Sequence, residues 1–188
     1  MTRCPSTLAL AVALAAAALP AAAQQLVPAQ SEIAFTSRQM GVPVDGRFRT
    51  FDARVAFDPK KPEAGRVALT IDLASVSMGA PESEAEVVKA PWFDTARFPQ
   101  ATFQSSAIRA VGPGRYEVAG KLGIKGAQRD VVVPVALVQA GGTTTATGAF
   151  VIRRLDFRIG DGEWADTSMV ANDVQVRFKL ALTGVAPL

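Results

Sequence analysis

The sequence contains no histidine, and its single cysteine, Cys4, lies near the start of the chain. A Ser-His-Asp or Cys-His catalytic site cannot form without histidine, and zinc sites lack their usual ligands. A glycine-rich phosphate-binding loop of the Walker or dinucleotide type is absent as well. We therefore expect a protein that is not an enzyme and that needs no metal and no cofactor.

The first 23 residues have the composition of a secretory signal peptide. Arg3 precedes an apolar run over residues 8–19, and Pro20 and three alanines follow. The run is about a dozen residues long, whereas a membrane-spanning helix needs roughly twenty. We expect cleavage after Ala23 and export to the periplasm; an uncleaved anchor or a buried helix is the alternative. Cys4 precedes the apolar run, so lipid attachment at this residue is not expected.

Residues 24–188 are enough for one domain with a sizeable core. They lack cysteine, so no disulfide can form. The 20 basic and 17 acidic residues of the chain are interspersed, and Arg3 leaves with the signal peptide. No basic stripe suggests nucleic-acid binding. A monomer and a homodimer both remain open.

Apolar residues alternate with polar ones through most of this domain. In residues 173–183, the apolar side chains at 174, 176, 178, 180 and 182 share one face of an extended strand. The same period of two predicts seven further strands within residues 31–40, 45–58, 67–73, 101–105, 116–124, 131–137 and 143–152. The second of these needs a bulge near Arg49 or Thr50, and Pro134 indicates an edge, a bulge or a position facing away from its neighbour.

One short helix is expected between strands, because Pro81 and several acids begin a segment that Pro91 ends. The fold class is therefore all-β, an antiparallel barrel or sandwich of eight strands with one inserted helix. A barrel of about eight strands can enclose one ligand.

Three polar residues share strand faces with apolar ones: Ser37, Gln39 and Ser105. If that face is internal, they need hydrogen-bond partners, which a ligand or neighbouring backbone can supply. They can also lie at a wet rim.

Asp161, Glu163 and Asp166 form the nearest approach to an acidic cluster. It is either a general acid and base pair, a weak calcium loop or a solvated turn, and its spacing favours the turn.

A set of short motifs resembles the YceI-like family of exported bacterial proteins across the whole of residues 24–188. The motifs are Phe35 with Gly46 and Phe48, Ile71-Asp72-Leu73-Ala74-Ser75-Val76, Trp92-Phe93-Asp94, Phe98-Pro99-x-Ala101-x-Phe103-x-Ser105, residues 120–126 and Arg154-Leu155-Asp156-Phe157. The resemblance implies a lipocalin-like eight-stranded barrel whose apolar interior holds a polyisoprenoid or similar lipid. It therefore implies a noncatalytic protein for lipid carriage or storage.

The chain departs from the family pattern at two places that bear on the ligand. A histidine is common where Gln39 stands, and an Arg-Asp-x-His-Leu pattern is common around Glu84 and Glu86. Both departures remove headgroup contacts. A polyisoprenoid or an isoprenoid quinone is the first expectation, and a fatty acid or an amide stays open.

Strand phase gives the candidate ligand-binding residues other than Arg154, which the family resemblance supplies. The apolar candidates are Phe35, Phe57, Leu69, Ile71, Phe103, Leu122, Val133, Val135, Phe150, Val176 and Phe178, and the polar candidates are Ser37, Gln39, Ser105 and Arg154. Arg154 matches the arginine of the family. It either meets an anionic headgroup or pairs with Asp156 or another nearby carboxylate.

Two other functions fit parts of the pattern. A lipid-modifying enzyme could use carboxylates or Tyr116, which shares the phase of Val118 and Leu122. An outer-membrane barrel fits the length, but two Trp and one Tyr are too few for aromatic girdles. The expected partner is an apolar small molecule, with transient membrane contact.

Overall fold

The computed structural model describes residues 24–188, so the predicted signal peptide lies outside the described residues. This part of the chain contains one α-helix, α1 (Pro81–Val87), and eleven β-strands. The strands are β1 (Gln25–Leu26), β2 (Glu32–Gln39), β3 (Val42–Phe48), β4 (Phe51–Ala56), β5 (Arg66–Asp72), β6 (Val76–Ser77), β7 (Gln100–Gly112), β8 (Arg115–Ile124), β9 (Ala127–Ala140), β10 (Thr143–Arg153) and β11 (Asp173–Thr183). Short 3₁₀ turns lie at 28–30, 62–64, 73–75, 154–157 and 162–165. Within residues 24–188, no helix has the length and apolar character to cross a membrane.

All strands belong to one antiparallel sheet in the order β4-β5-β7-β8-β9-β10-β11-β2-β3-β6, with β1 added beside β11. The sheet curls, because β3 and β4 follow one another in the chain, yet β4 lies at one end of this order and β3 lies next to the other end. At the corner between them, Arg49 N donates to Ser75 O (3.1 Å) and Asp72 N donates to Thr50 O (3.0 Å). The all-β antiparallel fold with one inserted helix is confirmed.

The strand count of eight is wrong, since eleven strands form. Two of the additional strands, β1 and β6, have only two residues each, too short to show a period of two. The third arises because residues 45–58 are not one bulged strand. The chain turns at Arg49 and Thr50, so β3 pairs with β2 and β6 whereas β4 pairs with β5.

The alternation places apolar side chains inside the curl. Along its inner wall, three phenylalanine rings lie against glycines: Phe35 over Gly46, Phe103 over Gly120 and Phe178 over Gly148. A side chain at any of these glycines would collide with the ring. The rings therefore lie along the wall instead of crossing the interior.

Strand β9 separates from β10 part-way along its length. The two strands pair only between Ala136 and Ala140 on one side and Thr143 and Thr147 on the other. Pro134 lies beyond the last of these pairs, so no ladder hydrogen bond to β10 is lost at its missing N–H. Pro134 still lies opposite Glu117 of β8 on the other side of the strand.

Helix α1 begins at Pro81, as the sequence indicates, and is fixed by Glu84. The Glu84 carboxylate accepts hydrogen bonds from the backbone N–H groups of Met78 (2.7 Å) and Gly79 (3.0 Å). These bonds, that from Met78 above all, lower the pKa of Glu84 below its usual 4.5. The helix therefore sits at a fixed place beside one end of the curled sheet.

Candidate functional site

An apolar cavity of about 260 Å³ runs through the interior of the curled sheet. On β11 alone, five alternating residues from Val174 to Leu182 line it. At about 3.3 Å per residue, these eight steps extend the cavity about 26 Å along the strand. A cavity that is narrow and long fits a chain-like ligand better than a compact one.

Fourteen of the fifteen candidate residues line this cavity. They are Phe35, Ser37, Gln39, Phe57, Leu69, Ile71, Phe103, Leu122, Val133, Val135, Phe150, Arg154, Val176 and Phe178. Strand phase located all of them except Arg154, because each side chain on the inner face of a curled sheet meets the interior; Arg154 was chosen through the family resemblance. Their contact with a ligand stays a prediction.

Ser105 is the exception, because its side chain does not reach the cavity. Its hydroxyl oxygen accepts a hydrogen bond from the backbone N–H of Val67 (2.8 Å). The pairing of β5 with β7 ends at Gln104, and the register of β7 against β8 shifts between Ser105 and Ala107. Ser105 keeps the phase of Phe103 and pairs with Gly120, but its hydroxyl turns to Val67 N where the β5 ladder ends. The extra residue, Ser106, then shifts the phase so that Ile108 resumes the inner face.

Arg154 lies at the cavity wall, but neither expectation for it holds. Its side chain is 1% exposed, and Asp156 pairs with Arg153 instead. All five N–H donors of Arg154 reach backbone carbonyls between 2.6 and 3.1 Å away, those of Ile159, Gly160, Trp164, Val170 and Ala171. Burial lowers the pKa of Arg154. With every donor engaged, the guanidinium fixes the 158–171 loop and has none left for a headgroup.

Lys125, within the 120–126 motif, is a second buried cation. Its ammonium donates to Arg158 O (2.6 Å) and Pro91 O (3.0 Å) and lies 3.4 Å from Asp161. It thus joins the segment at Pro91, just before Trp92, to the loop after Arg154. Within residues 24–188, no group of three or more acidic side chains could hold a metal ion, and Asp161 serves this structural contact.

The cavity is closed at the end where β8 and β10 begin. Gln24 exchanges two hydrogen bonds with the backbone of Phe57, and Gln139 donates to Val185 O (3.2 Å). Beneath these chain termini, Tyr116 packs edge-on against Phe57 with ring centres 5.1 Å apart. Tyr116 is buried there and faces inward, as its phase indicates.

The opposite end of the cavity is open. Among the cavity-lining residues within 24–188, only Gln39 is solvent-exposed, and Ser37 stands two residues deeper. Val44, Met78 and Val87 complete this end and are half-buried. Sequence reasoning did not select these three, because Val44 falls in an irregular segment and the other two lie outside the strand pattern.

Trp92 also lines the cavity and was not among the candidates. Its indole Nε1 is the one buried side-chain polar atom within residues 24–188 that has no hydrogen-bond partner. The ring packs against Trp164 with centres 5.5 Å apart. The segment before β7 thus supplies an aromatic floor beside the open end.

The profile of the YceI-like domain matches residues 24–182, nearly all of the described chain. The protein belongs to the YceI-like family. The resemblance drawn from the short motifs is therefore confirmed, and with it the lipocalin-like character of the fold.

Curated relatives of this YceI-like protein align with about half of its length. It is 31% identical over 96 residues to a UPF0312 protein of Azotobacter vinelandii, covering 51% of this chain and 50% of that protein. It is 32% identical over 96 residues to the protein YceI of Escherichia coli O157:H7, with the same coverage. The chain thus spans about half the length of the curated relatives it matches.

Solved structures agree with the curled sheet. BcnA of Burkholderia cenocepacia is 44% identical, with a TM-score of 0.81 over 84% of this chain and 99% of BcnA. A polyisoprenoid binding domain from Saccharophagus degradans is 20% identical, with a TM-score of 0.71 over 88% of this chain and 99% of that domain. At that identity, the second likeness shows the fold alone.

Proposed function

We propose that this protein is exported to the periplasm and there binds a long apolar lipid, a polyisoprenoid or an isoprenoid quinone, for carriage or storage. The cavity is the observation that carries the proposal. It is long, closed at one end, open at the other and lined almost wholly by apolar side chains. The polyisoprenoid-binding neighbour of the same fold supports this ligand class.

The composition of the wall supports binding by burial alone. Within residues 24–188, no Asp, Glu or Lys lines the cavity, and the guanidinium of Arg154 is fully engaged with backbone. Each methylene group moved from water into such a wall contributes about 0.8 kcal/mol. A chain of a few isoprene units would therefore bind tightly without any ionic contact.

The distribution of polar groups sets the orientation of the ligand. Ser37 and Gln39 stand at the open end, and the far end is enclosed by Tyr116, Ile108 and Phe57. A hydroxyl or carbonyl end group left at the mouth keeps its hydrogen bonds to water or to Gln39. The same group at the closed end would lose its hydrogen bonds to water and could meet only the hydroxyls of Tyr116 and Thr144 among the described residues. The apolar end of the lipid thus enters the cavity first, and the polar end of the lipid stays at the mouth.

Two substitutions on β10 test the cavity directly. Ala146 lines the cavity, and Ala149 lies exposed on the outer face of the same strand. Ala146→Phe fills the interior, and Ala149→Phe is the matched control. Native mass spectrometry of the purified proteins should show a bound apolar molecule in the wild type and in Ala149→Phe, and a bare chain in Ala146→Phe.

Urea titrations of both variants show whether the added ring has unfolded the protein, since overpacking also destabilises cores. A bare wild-type chain that also fails to take up nonaprenol from detergent would refute lipid binding. Determination of the N-terminal residue of the protein in the periplasmic fraction tests export separately, and we expect this residue to be Gln24. A bound lipid recovered chemically unchanged would support a carrier over an enzyme that uses Tyr116.

A further inference from the structure

Three large apolar side chains stand exposed around the open end of the cavity. They are Met40 (72% exposed), Val42 (63%) and Met169 (46%), which we call the mouth rim. Exposed apolar residues are common singly on protein surfaces. These three are not single, because all belong to the two segments that meet at the mouth.

Backbone contacts hold the mouth rim around Gln39. Met40 N donates to Met169 O (2.8 Å), Ala171 N donates to Arg38 O (2.9 Å), and Gln39 pairs with Val170. Val42 lies directly opposite Gln39 on β3. The rim is therefore continuous with the one exposed residue of the cavity wall.

Met40 occupies a position that does not suit a large apolar residue. Its φ of 46° lies in the left-handed region, where glycine and asparagine are the favoured residues. It is also the most exposed of the large apolar side chains within residues 24–188. A strained backbone and an exposed apolar side chain together indicate that Met40 contacts another molecule and does not stabilise the folded protein.

The charge beside the rim is mixed, because the β2–β3 hairpin tip is basic whereas Glu163 and Asp166 are exposed on the segment that carries Met169. Arg38 is exposed, donates to Gly41 O (3.1 Å) and, within residues 24–188, forms no ion pair with a carboxylate. The hairpin tip over residues 38–43 contains no acidic residue. A basic side chain flanking exposed apolar ones is typical of surfaces that bind the headgroup layer of a bilayer.

The proposed function adds a reason for contact with a membrane. Each methylene group that crosses water on the way to the cavity lowers the population of the transfer state about fourfold. A mouth pressed against the bilayer removes that exposure. The flexible, unbranched methionines of the rim can follow an irregular lipid surface.

We propose that the mouth rim inserts into a lipid bilayer and joins the cavity to it, so that lipid passes between the two without entering water. This inference rests on the proposed function for its purpose. The insertion itself is a property of the rim and can be measured without any ligand.

The test uses the triple variant Met40→Asn, Val42→Thr and Met169→Gln. Asparagine suits the left-handed φ, and threonine keeps the β-branched shape on β3, so the fold is retained. The matched control is Val132→Thr, Val138→Thr and Val151→Thr, which removes three comparably exposed apolar side chains from the outer face of β9 and β10. Flotation of the delipidated proteins with phosphatidylcholine vesicles, with and without phosphatidylglycerol, measures insertion.

Wild type and control should float with the vesicles, more strongly with phosphatidylglycerol, and the rim variant should bind about tenfold more weakly or less. Transfer of nonaprenol from vesicles should slow in the rim variant alone, whereas its nonaprenol content after loading from detergent should equal that of the wild type. Equal flotation of rim variant and wild type, or absence of flotation in both, would overturn the inference. Rim-dependent dimerisation in the ultracentrifuge without flotation would also overturn it, by assigning the rim to a second copy. Failure of detergent loading in every variant would instead refute the proposed function.

Discussion

Replacement of Arg154 by methionine tests how the open end of the cavity is built. The change removes five hydrogen bonds from a buried cation to backbone carbonyls, while keeping an apolar side chain of similar length. A hydrogen bond to a charged group contributes about 1.5–3 kcal/mol, but the five values do not add. The 158–171 loop lies at the surface, so several of its carbonyls regain water when it opens.

We therefore expect Arg154→Met to lower the free energy of unfolding by about 3–5 kcal/mol, because each carbonyl that stays buried without its donor costs about 1–3 kcal/mol. Arg153→Met is the control. Arg153 is the neighbouring residue, exposed and paired with Asp156, and surface ion pairs contribute at most about 1 kcal/mol. Arg154→Lys keeps the charge with three donors in place of five, and its loss should lie between the two.

Urea denaturation followed by tryptophan fluorescence measures the difference, because Trp92 and Trp164 pack together beside this loop. Hydrogen exchange should accelerate over residues 159–171 in Arg154→Met and stay unchanged in Arg153→Met. A loss below about 1 kcal/mol in Arg154→Met, or equal losses in both variants, would refute the structural role assigned to Arg154.

Three further predictions concern single residues. Gly46→Ala would place a Cβ within 2.6–2.9 Å of two Phe35 ring atoms, against about 3.5–4.0 Å for ordinary contact. The ring should move into the cavity and reduce nonaprenol uptake in native mass spectra; undiminished uptake would contradict this. Ser105→Ala should cost about 1 kcal/mol in urea and leave lipid uptake unchanged, with the exposed Ser106→Ala as control, and reduced uptake would return Ser105 to the cavity. The pKa of Glu84 is lowered on folding, so its contribution is complete above its unfolded value of 4.5 and is lost as pH falls through the lower folded value. Glu84→Gln should thus flatten the acid side of a plot of urea midpoint against pH, and an unchanged acid side would contradict the role given to this carboxylate.

Strand phase placed thirteen of its fourteen candidate residues on the cavity wall, because a regular strand carries its inner face from one residue to the next but one. It failed where the chain leaves that regularity. The Ser105 hydroxyl bonds to Val67 N where the pairing of β5 with β7 ends, and the turn at Arg49 and Thr50 separated one expected strand into β3 and β4. Both features depend on pairing with distant strands, which local alternation does not contain.

The role of Arg154 could not be predicted from the sequence for a different reason. A buried arginine usually indicates a carboxylate partner, and Asp156 is close in sequence. The actual acceptors are carbonyls, present in every residue, so no residue type signals them. Only the path of the 158–171 loop brings five of them to one guanidinium.

The strongest polar groups near the cavity are thus directed away from it. Arg154 and Lys125 are both buried, yet their donors reach the backbone of the loops that frame the open end. An anionic headgroup therefore adds little binding energy, because the nearby cations are already hydrogen-bonded to backbone. The same hydrogen bonds give the mouth of the cavity a defined shape. Selectivity then arises from the length of the lipid chain, and at the mouth the polar end of the ligand meets Ser37 and Gln39. Neutral lipids with one small polar end, such as a polyprenol or a quinone, fit that arrangement better than lipid phosphates do.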